Sequence, residues 1–505
     1  MDRRQFLAAA AMGALGAVST VGAASTLAGC GMDASTTGIA TQPSPSKAGL
    51  LRIAAPGNAD DELDPKTATG LAAWTAIYAM FESLVIMGPQ GAVYQLAKRI
   101  EHNEEATIWT VVLRDDATYS DGSPVVAQDV VDSLEYLADG ELTKDILAPL
   151  DLEKSKAFDE TTAVLRLTES RFDFVESVLA LASPVFRGGD PSGNIGSGPY
   201  VYHSGGGADG WEFKANQHYP PAWRLSSGLE VRTIADAAER QRALNEGDVD
   251  LALDLPAGPA PGFSNDAEAW EYGPSDTKNL CFVLNVHAEP FDNKDVRRAM
   301  KLAVDREKLA GVIFDGHGKP GNDLPGQSLE NFPRGLRIKR DVDTAKKLFD
   351  AAGVKTLTIH TAELSPGMND AAFLLVDQLN DAGVKLTVKE HDPAHYPAEM
   401  ATIKQEALFA ACLPNLPVKY ALPLYGAAGG VYNLSGWGED EEWSDELAKL
   451  TGRKARAADL DTLGQTFAKE GGLIIWGVRQ TVHGRAKGSP DVRMSLGTPI
   501  ISAVD

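Results

Sequence analysis

Hydrophobic positions along the chain follow two periods, and their order predicts strands and helices in alternation. Apolar residues at every second position are typical of half-buried strands, and spacings of three and four are typical of one helix face. The pattern predicts strands at 50–54, 163–167, 229–234, 248–253, 280–286, 357–360 and 386–390, with helices between the later ones. This rhythm predicts an α/β fold.

The segment 229–253 is the clearest unit of this kind. Asp236 is placed to cap a helix that ends at Glu246, and Gly247 is placed at its C-terminal turn. The strand, helix and strand in succession predict a right-handed crossover between strands of one parallel sheet.

The first residues are predicted to be a targeting segment rather than part of the fold. Arg3 and Arg4 precede an apolar run that ends in a Leu-Ala-Gly-Cys sequence at Cys30. Small residues before a cysteine suit a lipoprotein peptidase, so residues 1–30 are predicted to be a twin-arginine lipoprotein signal peptide. Residues 31–48 are predicted to be a flexible tether. A plain N-terminal membrane anchor is the alternative.

Composition excludes some partners. The chain has 505 residues and a formal net charge of −23, which makes nucleic acid an unfavourable partner. Its length predicts two or three domains. Besides Cys30 there are two cysteines, Cys281 and Cys412, for which a disulfide and two buried thiols both remain open. No nucleophile elbow, zinc-protease helix or paired C-x-x-C motif occurs, so neither catalysis nor a cofactor is expected.

Three motifs resemble those of one known family. Residues 113–130 contain a strand end, the turn Ser-Asp-Gly-Ser-Pro and a helix start, residues 240–250 read R-x-x-A-L-x-x-G-x-V-D, and residues 290–306 run from Pro-Phe-Asp to Val-Asp-Arg. Their order resembles the family 5 extracellular solute-binding proteins, the peptide- and nickel-binding subunits of ABC importers. The resemblance extends over nearly all of the chain after the tether.

The resemblance implies a type II periplasmic-binding-protein fold, with two α/β lobes, a hinge and an extra domain on the N-terminal side. The expected first lobe combines residues 49–75, 183–284 and 471–505. The extra domain is expected at 76–182 and the second lobe at 285–470.

The same resemblance implies a lipid-anchored receptor that closes over a small solute, with a peptide as the first candidate. Its expected partners are the permease and ATPase subunits of an ABC importer, and the protein is expected to act as a monomer. Two alternatives stay open. One is a receptor for another solute, such as an oligosaccharide, an opine-like compound or a metal chelate. The other is a surface sensor or interaction protein without transport.

The expected ligand site departs from the family at one point. The family carries an aspartate that pairs with the ammonium group of a peptide. In the corresponding segment, 410–417, Leu413 stands where the aspartate is expected. A buried charge requires a partner, so the solute is expected to lack a free amine or to be anionic. Lys419 would then be its partner, although a solvated surface lysine is the alternative.

Other candidates for the cavity wall follow from position in the sequence, and each has a core or surface role as its alternative. Aromatic side chains offer apolar faces to a ligand. The candidates are Gly70, Leu71, Asn285, Tyr420, Tyr425 and Trp437. The pair His391 and His395 has a spacing that a metal site could use, but Pro393 interrupts any helix between them, so a surface loop is favoured and no metal is expected.

Overall fold

The structure is a computed structural model that describes residues 49–88, 91–140, 143–256, 262–273, 276–393, 395–396, 399–452 and 455–502. The predictions for residues 1–30 and 31–48, including those for Arg3, Arg4 and Cys30, lie outside the described residues. No helix in the described ranges is long and apolar enough to cross a membrane.

The strands are numbered in chain order. They are β1 Leu50–Ala55, β2 Val85–Gly88, β3 Gly91–Tyr94, β4 Ala97–His102, β5 Ile108–Leu113, β6 Lys156–Ala157, β7 Thr162–Arg166, β8 Tyr200–Gly206, β9 Gly210–Ala215, β10 Gly228–Thr233, β11 Leu251–Leu255, β12 Ala267–Trp270, β13 Thr277–Leu284, β14 Gly318–Pro320, β15 Thr356–Thr361, β16 Lys385–Glu390, β17 Leu408–Pro414, β18 Leu473–Gln480, β19 Val482–Ala486, β20 Arg493–Ser495 and β21 Thr498–Ile500.

The α-helices are numbered in the same way. They are α1 Leu71–Met80, α2 Ala127–Ala138, α3 Lys144–Leu147, α4 Ala237–Asn245, α5 Lys294–Ala303, α6 Arg306–Ile313, α7 Val342–Ala351, α8 Met368–Asp381, α9 Met400–Ile403, α10 Val418–Gly426, α11 Glu441–Thr451 and α12 Ala457–Glu470.

The first sheet has seven strands in the order β12-β19-β11-β1-β10-β9-β8. Its central strand β1 is parallel to both β10 and β11, and α4 connects those two strands. The predicted parallel unit at 229–253 is therefore confirmed. The Asp236 carboxylate accepts from Glu239 N at 2.8 Å and caps α4 as predicted. β8 and β9 form an antiparallel hairpin whose tip is glycine-rich.

The second sheet has six strands in the order β14-β18-β13-β17-β15-β16. β15 is parallel to β16 and to β17, whereas β13 is antiparallel to β17 and β18. Strands β13 and β18 belong to this sheet, although the predicted boundaries assigned both segments to the first lobe. The reason is that β13 pairs along its whole length with β17, a pairing that strand order alone does not specify.

A third, four-stranded antiparallel sheet, β4-β5-β7-β6, lies within the segment expected to form the extra domain. Its core is continuous with that of the first sheet, since residues from both belong to one buried cluster. Helix α2 contributes Val130, Leu134 and Leu137 to this cluster. The Asp129 carboxylate accepts from Val126 N at 3.0 Å at the start of α2, which explains the local helix start.

Two short segments connect the first and second sheets. One joins β12 to β13, and the other is Thr481 between β18 and β19. The two segments bond to each other, because Thr481 N donates to Asp276 O at 3.1 Å and Gln480 Nε2 donates to Gly273 O and Asp276 O, both at 3.0 Å. These paired crossings are the natural hinge between the sheets.

Candidate functional site

The carboxyl ends of the parallel strands in the first and second sheets face a common cavity. In open α/β sheets this edge is where ligands bind, because the loops there are free to vary. The cavity has a volume of about 360 Å³. Residues after β1 and β10 and near the end of β11 line one side, and residues after β15 and at the end of β17 line the other. The cavity therefore lies beside the hinge and between the two sheets.

Three groups of residues line the cavity. The loop after β1 and the start of α1 contribute Gly57, Asn58, Gly70 and Leu71. Charged side chains are contributed by Asp254, Asp276, Lys278 and Glu363. The apolar and weakly polar part includes Cys412, Leu413, Pro414, Asn415 and Tyr432.

One buried carboxylate holds the first wall. Asp61 Oδ2 accepts from Asn58 N and Gly70 N, each at 3.0 Å, and Asp61 Oδ1 accepts from Thr69 N at 3.0 Å. Gly70 is the N-cap residue of α1. A Cβ atom at Gly70 would lie 2.6 Å from Gly57 Cα and closer still to Asp61 Oδ2, so only glycine fits this approach.

A buried ion cluster joins the two sheets at the cavity. Asp254, at the end of β11 in the first sheet, is 1% exposed. Its Oδ1 accepts from Arg479 Nη1 and its Oδ2 accepts from Lys278 Nζ, both at 2.7 Å. Both cations belong to the second sheet. Arg240 of α4 is the third cation of the cluster. It donates to Leu253 O at 2.8 Å and to Asp254 O at 2.5 Å.

The cluster sets the charge of its members. Burial by itself raises the pKa of the Asp254 carboxyl, but Lys278, Arg479 and Arg240 outweigh burial and hold that pKa well below its usual range. Burial lowers the pKa of the Lys278 ammonium, and the Asp254 carboxylate outweighs it, so this pKa lies above the ordinary value. Both groups are therefore charged at neutral pH.

A histidine connects the cluster to the crossing segment. Asp254 N donates to His483 Nδ1 at 3.2 Å, so His483 carries its proton on Nε2, which donates to Asp276 Oδ2 at 2.7 Å. Asp276 and His483 are both buried. The Asp276 carboxylate, which belongs to one crossing segment, thus accepts a hydrogen bond from a side chain of the first sheet. This contact links the hinge to β19.

Three of the eight residues predicted for the ligand site line the cavity: Gly70, Leu71 and Leu413. Leu413 of β17 pairs with Asn279 of β13, and Asn279 is the residue that follows Lys278. It is 7% exposed and presents an apolar surface at the wall where the family's aspartate was expected.

Lys419, Tyr420 and Tyr425 do not line the cavity. All three belong to α10, which packs behind β17. Lys419 Nζ lies 4.3 Å from the centre of the Tyr420 ring, so the ammonium group makes a cation–π contact within its own helix. Tyr425 is fully buried, and its hydroxyl donates to Pro414 O. Tyr425 therefore supports a lining residue from behind.

Asn285 and Trp437 also lie elsewhere. Asn285 Nδ2 donates to Lys404 O at 3.0 Å, which fastens the far end of β13. The glycines beside Trp437 do form a loop, since Gly436 and Gly438 have φ of 69° and 88°. The ring nevertheless packs inward, with its centre 4.6 Å from that of Trp443.

Both cysteines are free thiols. Cys281 pairs with Ala411, and Cys412 pairs with Leu280, so their side chains project from opposite faces of the second sheet. This alternation excludes a disulfide between them. Cys281 is buried in the core, whereas Cys412 lines the cavity.

The two histidines considered from the sequence have different partners. His391 Nε2 lies 3.0 Å from His360 Nδ1, while His395 Nδ1 lies 3.1 Å from Asp392 Oδ2. Within the described residues no group of three or more His, Cys, Asp or Glu side chains could hold a metal ion.

The residues not predicted from the sequence are Asp254, Lys278, Glu363 and Arg479. One signal was available for Asp254, because it interrupts the apolar run at 251–255 and a charge inside a buried strand requires a partner. The other three lie at strand ends, where charged residues are common and carry no distinctive pattern.

These features define a type II periplasmic binding protein: two α/β sheets with parallel strands, two hydrogen-bonded crossings and a cavity between the sheets. The model of the bacterial extracellular solute-binding proteins, family 5 middle, matches residues 91–420. The chain belongs to this family of solute-binding proteins.

Characterised relatives are similar to segments of the chain. The probable D,D-dipeptide-binding periplasmic protein DdpA of Escherichia coli K12 is 25% identical over 346 residues, which are 64% of this chain and 66% of that protein. The nickel-binding periplasmic protein of the same organism is 26% identical over 296 residues, or 54% and 56%. The matches thus cover about half to two thirds of these relatives.

Solved structures share the fold over most of the chain. The binding protein AgaA in complex with agropinic acid, from A. tumefacien R10, has a TM-score of 0.77 and 20% identity, covering 90% of this chain and 99% of that one. DppA from Helicobacter pylori in complex with the peptide STSA has a TM-score of 0.77 and 17% identity, covering 90% and 98%.

Proposed function

We propose that this protein is the solute-binding component of an ABC importer, which captures a peptide or a related small solute and delivers it to a membrane permease. The observation that carries the proposal is the cavity beside the paired crossings. A solute held there contacts both sheets at once, so its binding free energy favours the closed arrangement. The permease would then recognise that arrangement, and its ATPase partners would supply the energy.

We further propose that Cys30 carries a lipid and that Arg3 and Arg4 direct export. The support is the small-residue sequence before Cys30 and the apolar run before it. Metabolic labelling with a radioactive fatty acid tests this proposal. Label is expected in the wild-type chain and absent from Cys30→Ala, and equal labelling of both proteins would contradict it.

A non-peptide solute is the second candidate. Leu413 favours it, because the wall offers a hydrocarbon side chain at the position where the family's aspartate was expected to pair with an ammonium group. One structural neighbour, AgaA, has agropinic acid bound, so a screen should include opine-like compounds.

A thermal-shift screen of the purified protein tests the function. Solute pools would comprise di- to pentapeptides, oligosaccharides, amino-acid conjugates and nickel. A solute that binds only the folded state raises the melting temperature in proportion to the logarithm of its concentration. A concentration-dependent shift for one pool supports a receptor. No shift with any pool, combined with turnover of one of them, would replace the receptor with an enzyme.

A further inference from the structure

Two charged groups on the cavity wall retain capacity for a partner. The carboxylate of Asp254 is already matched by Arg479 and Lys278, and that of Asp276 is matched by His483. Lys278 and Glu363 differ from them in that their hydrogen-bonding capacity is only partly used by the described residues.

Lys278 is the cation of this pair. An ammonium group has three donors, and the described hydrogen bonds of Lys278 Nζ consist of one, to Asp254 Oδ2. Asp254 also receives Arg479, so the lysine shares its counter-charge with a second cation. The side chain is 23% exposed and lines the cavity, where the remaining donors are available to an anion.

Glu363 is the carboxylate. It follows β15, and each of its oxygens accepts one backbone N–H: Oε1 from Gly367 at 2.5 Å and Oε2 from Asn369 at 2.9 Å. These amides belong to the first turn of α8 and the residue before it. No described Lys, Arg or His side chain forms an ion pair with Glu363. Its carboxylate is thus fixed in orientation without a directly paired cation among the described residues. Burial raises the pKa of this carboxyl, and the Arg479 guanidinium, which acts on it from a greater distance, partly offsets that rise.

Apolar side chains make up part of the same cavity wall. Leu413 and Leu364 line the same cavity, and neither can pair with a charged ligand group. A ligand that enters this partly desolvated space loses water from its charged groups and must find partners there. A cation and a carboxylate on one wall therefore favour a solute that carries both signs.

We propose that the solute is a zwitterion of amino-acid type, with its carboxylate bound by Lys278 and its ammonium group bound by Glu363. This inference rests on the proposed receptor function and specifies its ligand class. Glu363 supplies the carboxylate that is absent at Leu413, but from the end of β15 instead of the end of β17. A free amine is then required after all.

Isothermal calorimetry with four matched pools of short peptides and amino-acid conjugates tests the class. The pools are unmodified, N-acetylated, C-amidated and blocked at both ends. The unmodified pool is expected to bind. Each single block is expected to weaken binding about 10- to 100-fold, because each removes one charge-assisted contact. Equal binding of unmodified and blocked pools would overturn the proposal.

Variants assign each charge to its residue. Glu363→Gln is expected to lose the preference for a free amine while it keeps the preference for a free carboxylate, and Lys278→Met is expected to do the reverse. Lys278→Arg retains a cation and the pairing with Asp254, so it is expected to keep the preference for a free carboxylate. The matched controls are Glu446→Gln, whose partner is Lys449 on the exposed face of α11, and Lys419→Met; neither should change the preference.

The outcomes separate this inference from the receptor function. A thermal shift with a neutral oligosaccharide, combined with no binding of any peptide or conjugate pool, overturns the zwitterion and leaves the receptor intact. Absence of binding by every solute overturns both. Binding of unmodified peptides with unchanged preferences in Glu363→Gln and Lys278→Met keeps the receptor and overturns the assignment of residues.

Discussion

Asp254 and Arg479 form a buried ion pair between the two sheets, with Oδ1 and Nη1 2.7 Å apart and the side chains 2% and 0% exposed. Asp254 has a φ of 51°, so its backbone turns sharply at the end of β11 to aim the carboxylate across the hinge. The pair joins the sheets next to the cavity.

The first prediction concerns the counter-charge of the cluster. Asp254→Asn leaves Arg479 and Lys278 buried without their carboxylate, and removal of one partner from a buried pair costs about 3–5 kcal/mol. The free energy of unfolding, measured by urea denaturation, should fall by that amount. Asp115→Asn, in an exposed pair with Lys98, should change it by less than about 1 kcal/mol. An equal loss of unfolding free energy in the two variants would contradict a larger contribution of the buried pair.

The second prediction concerns Glu82, which is 4% exposed and lies 3.2 Å from Arg114 Nη2. Burial raises its pKa to about 7 from an ordinary 4.5, and Arg114 only partly offsets this. Because the folded-state pKa exceeds the unfolded one, the contribution of Glu82 to stability is complete below pH 4.5 and is lost as the pH rises towards 7.

The loss amounts to at most about 3 kcal/mol. Glu82→Gln cannot ionise, so the difference in unfolding free energy between variant and wild type should move in favour of the variant across this pH range. Urea denaturation at four pH values measures it. Glu101→Gln, at a solvent-exposed carboxylate, is the control and should show a flat difference. A flat difference for Glu82→Gln as well would refute the assignment.

The third prediction compares two glycines. Gly70→Ala places a methyl group against Gly57 and Asp61, so the loop at the cavity must shift. We expect lower stability and weaker solute binding. Gly311→Ala lies in the exposed face of α6 with nothing within 4 Å of the added Cβ, and should raise stability by about 0.5–1 kcal/mol. The melting temperature should fall in Gly70→Ala and rise in Gly311→Ala.

The fourth prediction concerns thiol reactivity. Burial raises the pKa of the Cys412 thiol, so alkylation should be slow at neutral pH and accelerate as the pH rises above 9. Because Cys412 lines the cavity, a bound solute should slow its alkylation further. Cys281 should react only after unfolding. Labelling of Cys281→Ala and Cys412→Ala, followed by mass spectrometry, distinguishes the sites, and labelling of Cys281 in native Cys412→Ala would contradict the placement.

Much of the fold could be predicted from the sequence, because it depends on local patterns. The strand–helix–strand unit at 229–253 follows from apolar periodicity and from the Asp236 cap, both of which act within a few residues. The motifs at 113–130, 240–250 and 290–306 indicated the family, which the match over residues 91–420 confirms. Gly70 and Leu71 were predicted from their position in the sequence, and both line the cavity.

The sequence determined the elements and the family, since each of these is a property of neighbouring residues. Only the tertiary structure decided that β13 and β18 join the second sheet, that Trp437 and Tyr425 pack inward, and that Asp254, Lys278 and Arg479 meet. Asp254 and Arg479 are 225 positions apart. Contacts over such distances depend on which strands pair, and no local pattern of polar and apolar residues specifies that choice.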